Sequence, residues 1–439
     1  MKRKIGFIFL VFLSLFFLFS CGDKNNQIEF TEEYFEKKLV ILKKGEIYKI
    51  DTEKLFTNKF NFEIEEYSLH LGNNYNAISE NDYKPIAGDE IIFEDKKSDF
   101  KLYCISEFKD CLDLKDNIIT AKDLGKMSVS IIIQLKNGTT KNKSNRICSQ
   151  ILEVVVTDNT YSNFTKINNI NDFKKMHNSK DLFILNQSLE LNVGTEAFEG
   201  NLDFFGIFIN PYNYHCNLSF SKYGFLFETL LNAYIDNFIF DNIFLGNSSF
   251  ARDVDNCGMS NLNIKSLENS LETEINEMWL IDRCLGTTFF NVEITIEKNT
   301  KVRDLSFIKS MDSTVFIKNF ILNNNSNEIN NICIATYALS RLLSYSPSFP
   351  SNEIVEDAFE LYNILFLNTS NQSITCSFQY YNHNELHPFE SDKLFYSVGF
   401  KTEDDLFINK TIEEVTSGES LFTSGEFKFE KGKLPTLFY

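Results

Sequence analysis

The chain is poor in the residues that break or staple a fold, and in those that announce a catalytic centre. Its 439 residues hold one Trp, six Pro and five His, and 43 basic side chains stand against 61 acidic ones. So little Trp and Pro beside 45 Phe and 18 Tyr argues for strands, because aromatic rings fit a pleated surface. A formal charge of −18 repels nucleic acid and anionic lipid surfaces, so no nucleic-acid partner is expected. Nine Cys include no Cys-x-x-Cys pair, which argues against a thiolate metal site, and no cofactor is implied. His-Glu-x-x-His, Gly-x-Ser-x-Gly and phosphate-loop patterns are missing too, so nothing in the sequence positions a nucleophile. After residue 20 no apolar run reaches the roughly 20 residues that a bilayer-spanning helix needs. What is present, 43% hydrophobic side chains, is enough to build a core rather than a disordered chain.

The N-terminus is the one long apolar stretch. Lys2, Arg3 and Lys4 form a basic start, residues 5–19 are almost unbroken apolar, and Leu18-Phe19-Ser20-Cys21 is followed by Gly22 and Asp23. This reads as a signal peptide over 1–20. Its end resembles the bacterial lipoprotein lipobox, with Leu18 three residues before the Cys and small Ser20 just before it; Phe19 is bulkier than the usual occupant. The resemblance implies cleavage, acylation of Cys21, and a membrane partner reached through that lipid, each buried methylene adding about 0.8 kcal/mol. The chain is then expected in the bacterial cell envelope, outside the cytoplasm, either periplasmic or surface-exposed. Loss of Lys2, Arg3 and Lys4 takes the formal charge from −18 to −21. Cys104, Cys111, Cys148, Cys216, Cys257, Cys284, Cys333 and Cys376 remain. They are open to disulfide pairing or to burial as small hydrophobes.

Residues 21–36 are polar and acidic, a tether. Over 37–158 come short apolar runs such as Ile47-Tyr-Lys-Ile50, Ile91-Ile-Phe93, Val129-Ser-Ile-Ile-Ile133 and Leu152-Glu-Val-Val-Val156, with a Lys136-Asn-Gly138 turn. Runs of that length and spacing predict a β-sandwich. The stretch Thr120-Ala121-Lys-Asp-Leu-Gly125-Lys-Met-Ser-Val129-Ser-Ile131 resembles the bacterial Ig-like domain of group 2, although the Trp of that family's earlier strand is missing. The resemblance implies a spacer or adhesive module.

A polar linker over 159–171 leads into a different pattern, which fills 172–439. Ile235-Asp-Asn237-Phe-Ile-Phe240 returns as Met259-Ser-Asn261-Leu-Asn-Ile264, Phe289-Phe-Asn291-Val-Glu-Ile294, Ile317-Lys-Asn319-Phe-Ile-Leu322 and Leu361-Tyr-Asn363-Ile-Leu-Phe366. The Asn-to-Asn spacings are 24, 30, 28 and 44. One turn of a parallel β-helix consumes about that many residues, and the last gap leaves room for an insertion or an extra turn. Asn tolerates the left-handed conformation of a tight corner, and its amide can ladder with copies above and below. Asn237, Asn261, Asn291, Asn319 and Asn363 are therefore read as structural corner residues. Ile170-Asn-Asp-Phe173, Phe198-Glu-Gly200-Asn-Leu-Asp203, Tyr223-Gly224-Phe-Leu-Phe227 and Phe427-Lys-Phe-Glu-Lys-Gly432 resemble successive elements of the GLUG-type repeat region of bacterial surface proteins. The expected fold is all-β: an N-terminal Ig-like β-sandwich followed by a right-handed parallel β-helix with an elaborated loop near 330–400. Either the Ig-like domain or the segment from Ile170 to Lys175 is expected to shield one coil end, and the strand from Leu434 to Tyr439 to help close the other.

Adhesion, or binding of a glycan or protein ligand through the solenoid, is the expected function, without enzyme activity. Two other readings stand beside it: a polysaccharide-degrading β-helix enzyme and a purely structural envelope spacer. For the enzyme, Asp236, Asp253, Asp255, Glu293 and Glu297 are the candidate carboxylates, since glycosidic cleavage needs two at about 5 or 9 Å. His383-Asn-Glu385-Leu-His387 spaces two imidazoles for one helical face, but Pro388 follows and a third ligand is not evident. No metal site is therefore assigned.

Overall fold

The computed structural model describes residues 29–30, 36–50, 64–71, 89–95, 100–105, 111–115, 118–135, 139–140, 146–222, 224–244, 249–268, 275–298, 300–312, 315–339, 360–379, 395–402, 407–422 and 427–437. The signal segment, Cys21, the Lys136-Asn-Gly138 turn and the His383 to His387 motif lie outside the described residues.

The protein is all-β with only 4% helix, and residues 182–401 form a parallel β-solenoid of about six turns. Each coil crosses two sheets. One, here the corner sheet, runs through Leu182–Leu185, Ile207–Ile209, Tyr234–Phe244, Gly258–Glu268, Thr288–Ile296, Phe316–Asn324, Glu360–Asn368, Phe395–Val398 and Phe407–Lys410. The opposite sheet runs through Leu202–Phe204, Phe225–Leu231, Ser249–Asp255, Ile275–Leu285, Val302–Asp312, Asn331–Leu339, Ile374–Gln379 and Phe400–Thr402. Phe316–Asn324 pairs directly with Glu360–Asn368, so the 44-residue spacing is one coil carrying an insertion and not an extra turn.

Alternation along each strand sends one apolar set inward, and Phe dominates it. Rings of Phe289, Phe307, Phe320, Phe366 and Phe407 follow one another at centroid separations of 5.0, 5.2, 6.1 and 5.4 Å. Each buried Phe side chain contributes about 1.5–3 kcal/mol, which accounts for the compositional weight of this residue. Cys216, Cys257, Cys284 and Cys376 sit in the same core. Burial pushes the Cys216 and Cys257 thiols up to about 12, so these two act as small hydrophobes and form no disulfide.

The N-terminal end of this core is plugged. Asn169 caps a short helix, Ile170–Lys174, by accepting from the amides of Asn171 and Asp172 at 2.9 and 3.1 Å. The helix drives Phe173 into the coil, where its ring meets Phe198 and Phe208, both at 5.7 Å.

Before the solenoid, a six-stranded sheet is ordered Glu36–Lys43, Arg146–Thr157, Gly125–Leu135, Ile64–Leu71, Phe100–Ile105, Asp89–Asp95. It shares a core with a three-stranded sheet of Ile47–Lys49, Ile118–Ala121 and Leu112–Lys115, in which Val40, Leu42, Ile119, Met127, Val129, Leu152 and Val154 are buried. Within the acidic stretch, Glu29–Phe30 lies parallel to Thr139–Thr140.

The outer face of the corner sheet is covered from both ends of the chain. Leu39, Ile41 and Val155 of the N-terminal sheet, with Phe164, pack on Ile184, Ile207, Ile209 and Tyr234. Beside them the buried Lys37 donates its backbone amide to Thr288 Oγ1 at 2.8 Å and its ammonium to the Asn256 carbonyl. Further along, Val415, Phe422, Phe427 and Leu437 cover Ile321, Leu365, Leu367, Tyr396 and Val398. The Leu437 amide donates to Glu293 Oε2 at 3.2 Å. The C-terminal residues thus lie along the flank of the coils, in contrast to the end-closing strand expected from the sequence.

Candidate functional site

Asn237, Asn261, Asn291, Asn319 and Asn363 all adopt left-handed backbone, with φ of 60, 55, 56, 61 and 54°. Asn363 donates to Asn319, Asn319 to Asn291 and Asn291 to Asn261, each Nδ2 to Oδ1 at 2.9 Å. Asn261 then donates to Asp236 Oδ1 at 2.8 Å, and Asn237 donates to the Asn210 carbonyl at 2.6 Å and to Asn213 Oδ1 at 2.7 Å. Each amide satisfies its neighbour in a place water reaches poorly, where an unmade hydrogen bond costs about 1–3 kcal/mol. This column is architecture. A second left-handed column stands five residues upstream, at Asn232, Asn256 and Gly286 with φ of 51, 54 and 50°. A Cβ on Gly286 would meet Asn256 Oδ1 at 2.7 Å.

The candidate carboxylates are dispersed. Asp236 lies in the corner sheet, partly buried and accepting from Ser260 Oγ at 2.6 Å as well as from Asn261; burial raises its pKa against those hydrogen bonds. Glu293, in the same sheet, accepts from the backbone amide of Leu437. Glu297 follows the end of that strand, in the turn where its carbonyl accepts from Thr300 at 3.1 Å. Asp253 and Asp255 belong to the opposite sheet, where Asp253 binds Arg283 with a closest separation of 2.5 Å. Asp253 and Asp255, two places apart on one strand, share its outer side, where Asp253 is taken up by Arg283, while the other three belong to the corner sheet and the turn that follows it. Among the described residues no group of three or more His, Cys, Asp or Glu is arranged to hold a metal ion.

The opposite sheet carries groups that the sequence does not bring together. Register alignment sets Glu277 beside Asp304 and Asp304 beside Asn331, whose Nδ2 donates to Asp304 Oδ1 at 2.7 Å. The next row holds Trp279, Ser306 and Cys333. The indole N–H of Trp279 is shut off from solvent without a hydrogen-bond partner, and the Lys309 ammonium sits 4.0 Å from the ring centroid. Lys309 also reaches Asp282 at 3.4 Å. Upstream, Arg252 binds Glu228 with a 2.5 Å ion pair and Arg283 binds Asp253. Hydrogen bonding and charge from those carboxylates raise the pKa of both guanidiniums. The outcome is a ribbon of opposite charges stepping from coil to coil, with side chains of Arg252 and Arg283 46% and 60% exposed.

Glu277 and Asp304 occupy paired positions on adjacent strands, about 4.8 Å apart along the solenoid, a separation of the order used in retaining glycoside cleavage. The cleft that they share with Ser306, Cys333 and Thr336 has a volume of only about 10 Å³, room for a single water, whereas ligand pockets measure about 300–1,000 Å³. Burial, reinforced by Asp304 and Glu277, pushes the Cys333 thiol up, the direction that disfavours a thiolate.

These features define the class as a β-solenoid protein with a charged outer ribbon. No family model, curated protein or solved structure matches the chain.

Proposed function

We propose that the protein is an exported lipoprotein, acylated on Cys21, that binds a glycan or protein at the bacterial cell envelope through the outer face of its solenoid. In this reading the sheets before the solenoid are an Ig-like spacer, the coils are a right-handed GLUG-type region, and the chain adheres rather than catalyses. One observation carries it: of the two solenoid faces, one is covered by the chain's own ends while the other presents a ribbon of Glu228, Arg252, Asp253, Asp282, Arg283 and Lys309. A periodic charged array repeating once per strand suits an extended partner with its own repeat. The lipobox-like Leu18-Phe19-Ser20-Cys21 supports the anchoring half.

The test uses residues 22–439, which lack the lipid. Saturable retention on envelope polysaccharides or proteins without new reducing or unsaturated ends is the expected result, and Arg252→Glu with Arg283→Glu should abolish the retention of charged ligands. Product formation would replace this reading with a polysaccharide-degrading enzyme. Retention on nothing would leave a spacer. Exposure is checked separately, by whether protease added to intact cells removes the protein.

A further inference from the structure

Away from the charged ribbon, three tyrosines meet where the N-terminal sheets join the solenoid. Tyr161 follows the strand Arg146–Thr157 in a tight turn organised by Asp158, whose carboxylate accepts from the Thr160 amide and hydroxyl at 2.9 and 2.8 Å and from the Ser162 amide and hydroxyl at 3.0 and 2.6 Å. Those bonds pull the Asp158 pKa well below the usual carboxylate range. Asn163 ties the turn back, donating to the Val156 carbonyl at 3.0 Å and accepting from Thr157 Oγ1 at 2.8 Å.

Tyr212 comes from an extra loop at the corner column, and Tyr214 from the position that follows it. Register alignment sets Ile209 against Asp236 and His215 against Ile239, so residues 210–213 stand where the next coil has Asn237 alone. The fully buried Asn210 locks this loop, donating to the Tyr214 carbonyl at 2.8 Å and accepting from its amide at 3.0 Å. The Tyr161 and Tyr212 rings meet edge to face at 6.1 Å, and Tyr212 and Tyr214 lie 5.6 Å apart.

Two costs call for a reason. Tyr161 is held at φ 53°, and every other positive-φ residue among the described residues is Asn or Gly; a bulky side chain in that conformation costs about 1–3 kcal/mol, and such strain clusters at binding sites. Tyr212, meanwhile, leaves 45% of its surface in water. The ring of Tyr161 also touches Phe164 at 5.7 Å, so sealing the junction is the competing structural explanation for Tyr161. It offers none for Tyr212.

We infer that Tyr161, Tyr212 and Tyr214 form a saccharide-binding seam that takes an uncharged or amino-bearing pyranose, its apolar face on the exposed Tyr212 ring and its hydroxyls toward the phenols. Rigid phenols give large amphipathic contact at low entropic cost. Asp158, and Glu46 near enough to act on the Tyr161 phenol, make the rim acidic, which disfavours uronates and phosphosugars. This inference rests on the glycan branch of the proposed function and is independent of the charged ribbon.

The experiment measures retention of residues 22–439 on cellohexaose, chitohexaose, glucosamine hexamer and oligogalacturonate. Wild type should be retained by at least one of the first three. Tyr212→Ala should weaken that retention about tenfold with an unchanged unfolding midpoint, while Tyr161→Gly should weaken it with a midpoint unchanged or raised, because the strain is relieved as the ring is lost. Arg252→Glu/Arg283→Glu should leave it intact. Retention insensitive to Tyr212→Ala, or confined to oligogalacturonate, overturns the seam; if the double arginine variant then abolishes binding, the ribbon reading stands without it. Failure on all four probes removes the seam whatever the ribbon binds.

Discussion

The two faces of the solenoid are built from the same repeat, yet one is hidden and the other is not. On the corner sheet Ile184, Ile207, Ile209, Ile321, Leu365 and Val398 point away from the core and are buried by segments from the two ends of the chain. At comparable places on the opposite sheet stand Glu228, Arg252, Asp253, Asp282, Arg283 and Lys309. A strand buried on both faces reads as a continuous apolar run, whereas one open to water alternates. The first face is a folding surface and the second is available for recognition, so substitutions on the two should have opposite profiles: loss of stability on one, loss of binding on the other.

The largest effect should come from uncovering the hidden face. Removing residues 412–439 exposes Ile321, Leu365, Leu367, Tyr396 and Val398 together, an apolar patch of a size that folded monomers rarely leave open. Size-exclusion chromatography should show aggregates in place of the full chain's elution volume. An unchanged profile would mean that the C-terminal segment is ornament. Next comes the amide column. Asn319 is fully buried, donates to Asn291 and accepts from Asn363, so Asn319→Ala loses both bonds and forces Ala into left-handed backbone, about 3 kcal/mol in denaturant melts. Asn319→Gly keeps the conformation and should cost less, about 2 kcal/mol. Equal losses would show that the amide chain alone, and not backbone geometry, selects Asn.

The repeat itself was legible because the left-handed corner admits few residues, so Asn recurs wherever the chain turns. The second corner escaped notice although it repeats with the same period, since Asn232, Asn256 and Gly286 share a conformation and not an identity. The first coil was hidden for another reason: Pro211 and Tyr214 stand at the apolar places around Asn213, whose left-handed backbone and hydrogen bond from Asn237 put it in the column. Illegible altogether was the charged ribbon. Neighbours across a parallel solenoid are a whole coil apart in sequence, as Arg283 is from Asp253, and loops of unequal length scramble the offset from one coil to the next. Of the carboxylates named from the sequence, Asp253 joins the ribbon through Arg283, while the pairing of Glu277 with Asp304 depends on register that only the strand alignments reveal.

A smaller effect should separate the faces by pH. Asp236 belongs to the hidden side, and burial holds its folded pKa above the unfolded value of about 3.9. A raised carboxylate pKa means the folded state binds the proton more tightly, so its contribution to stability is present below the unfolded pKa and is lost as pH rises through the folded one. Asp236→Asn keeps an oxygen to accept from Ser260 and Asn261 and removes the titration. Its unfolding midpoint should therefore gain on wild type as pH climbs from about 4 to 7; parallel curves would show that the carboxylate is no more costly to ionise in the fold than in the open chain. Arg283→Glu, on the exposed side, is the smallest in stability and the sharpest in contrast. Its ion pair with Asp253 is solvent-screened, and such pairs contribute little; the new Glu faces Asp253 across the strands, so the midpoint should fall only slightly near neutral pH, by the equivalent of about 1 kcal/mol or less, and recover as the carboxylates protonate. Binding to an extended charged ligand should weaken, and the loss should shrink as salt is raised toward 0.5 M, because screening already removes in wild type what the substitution removes in the variant.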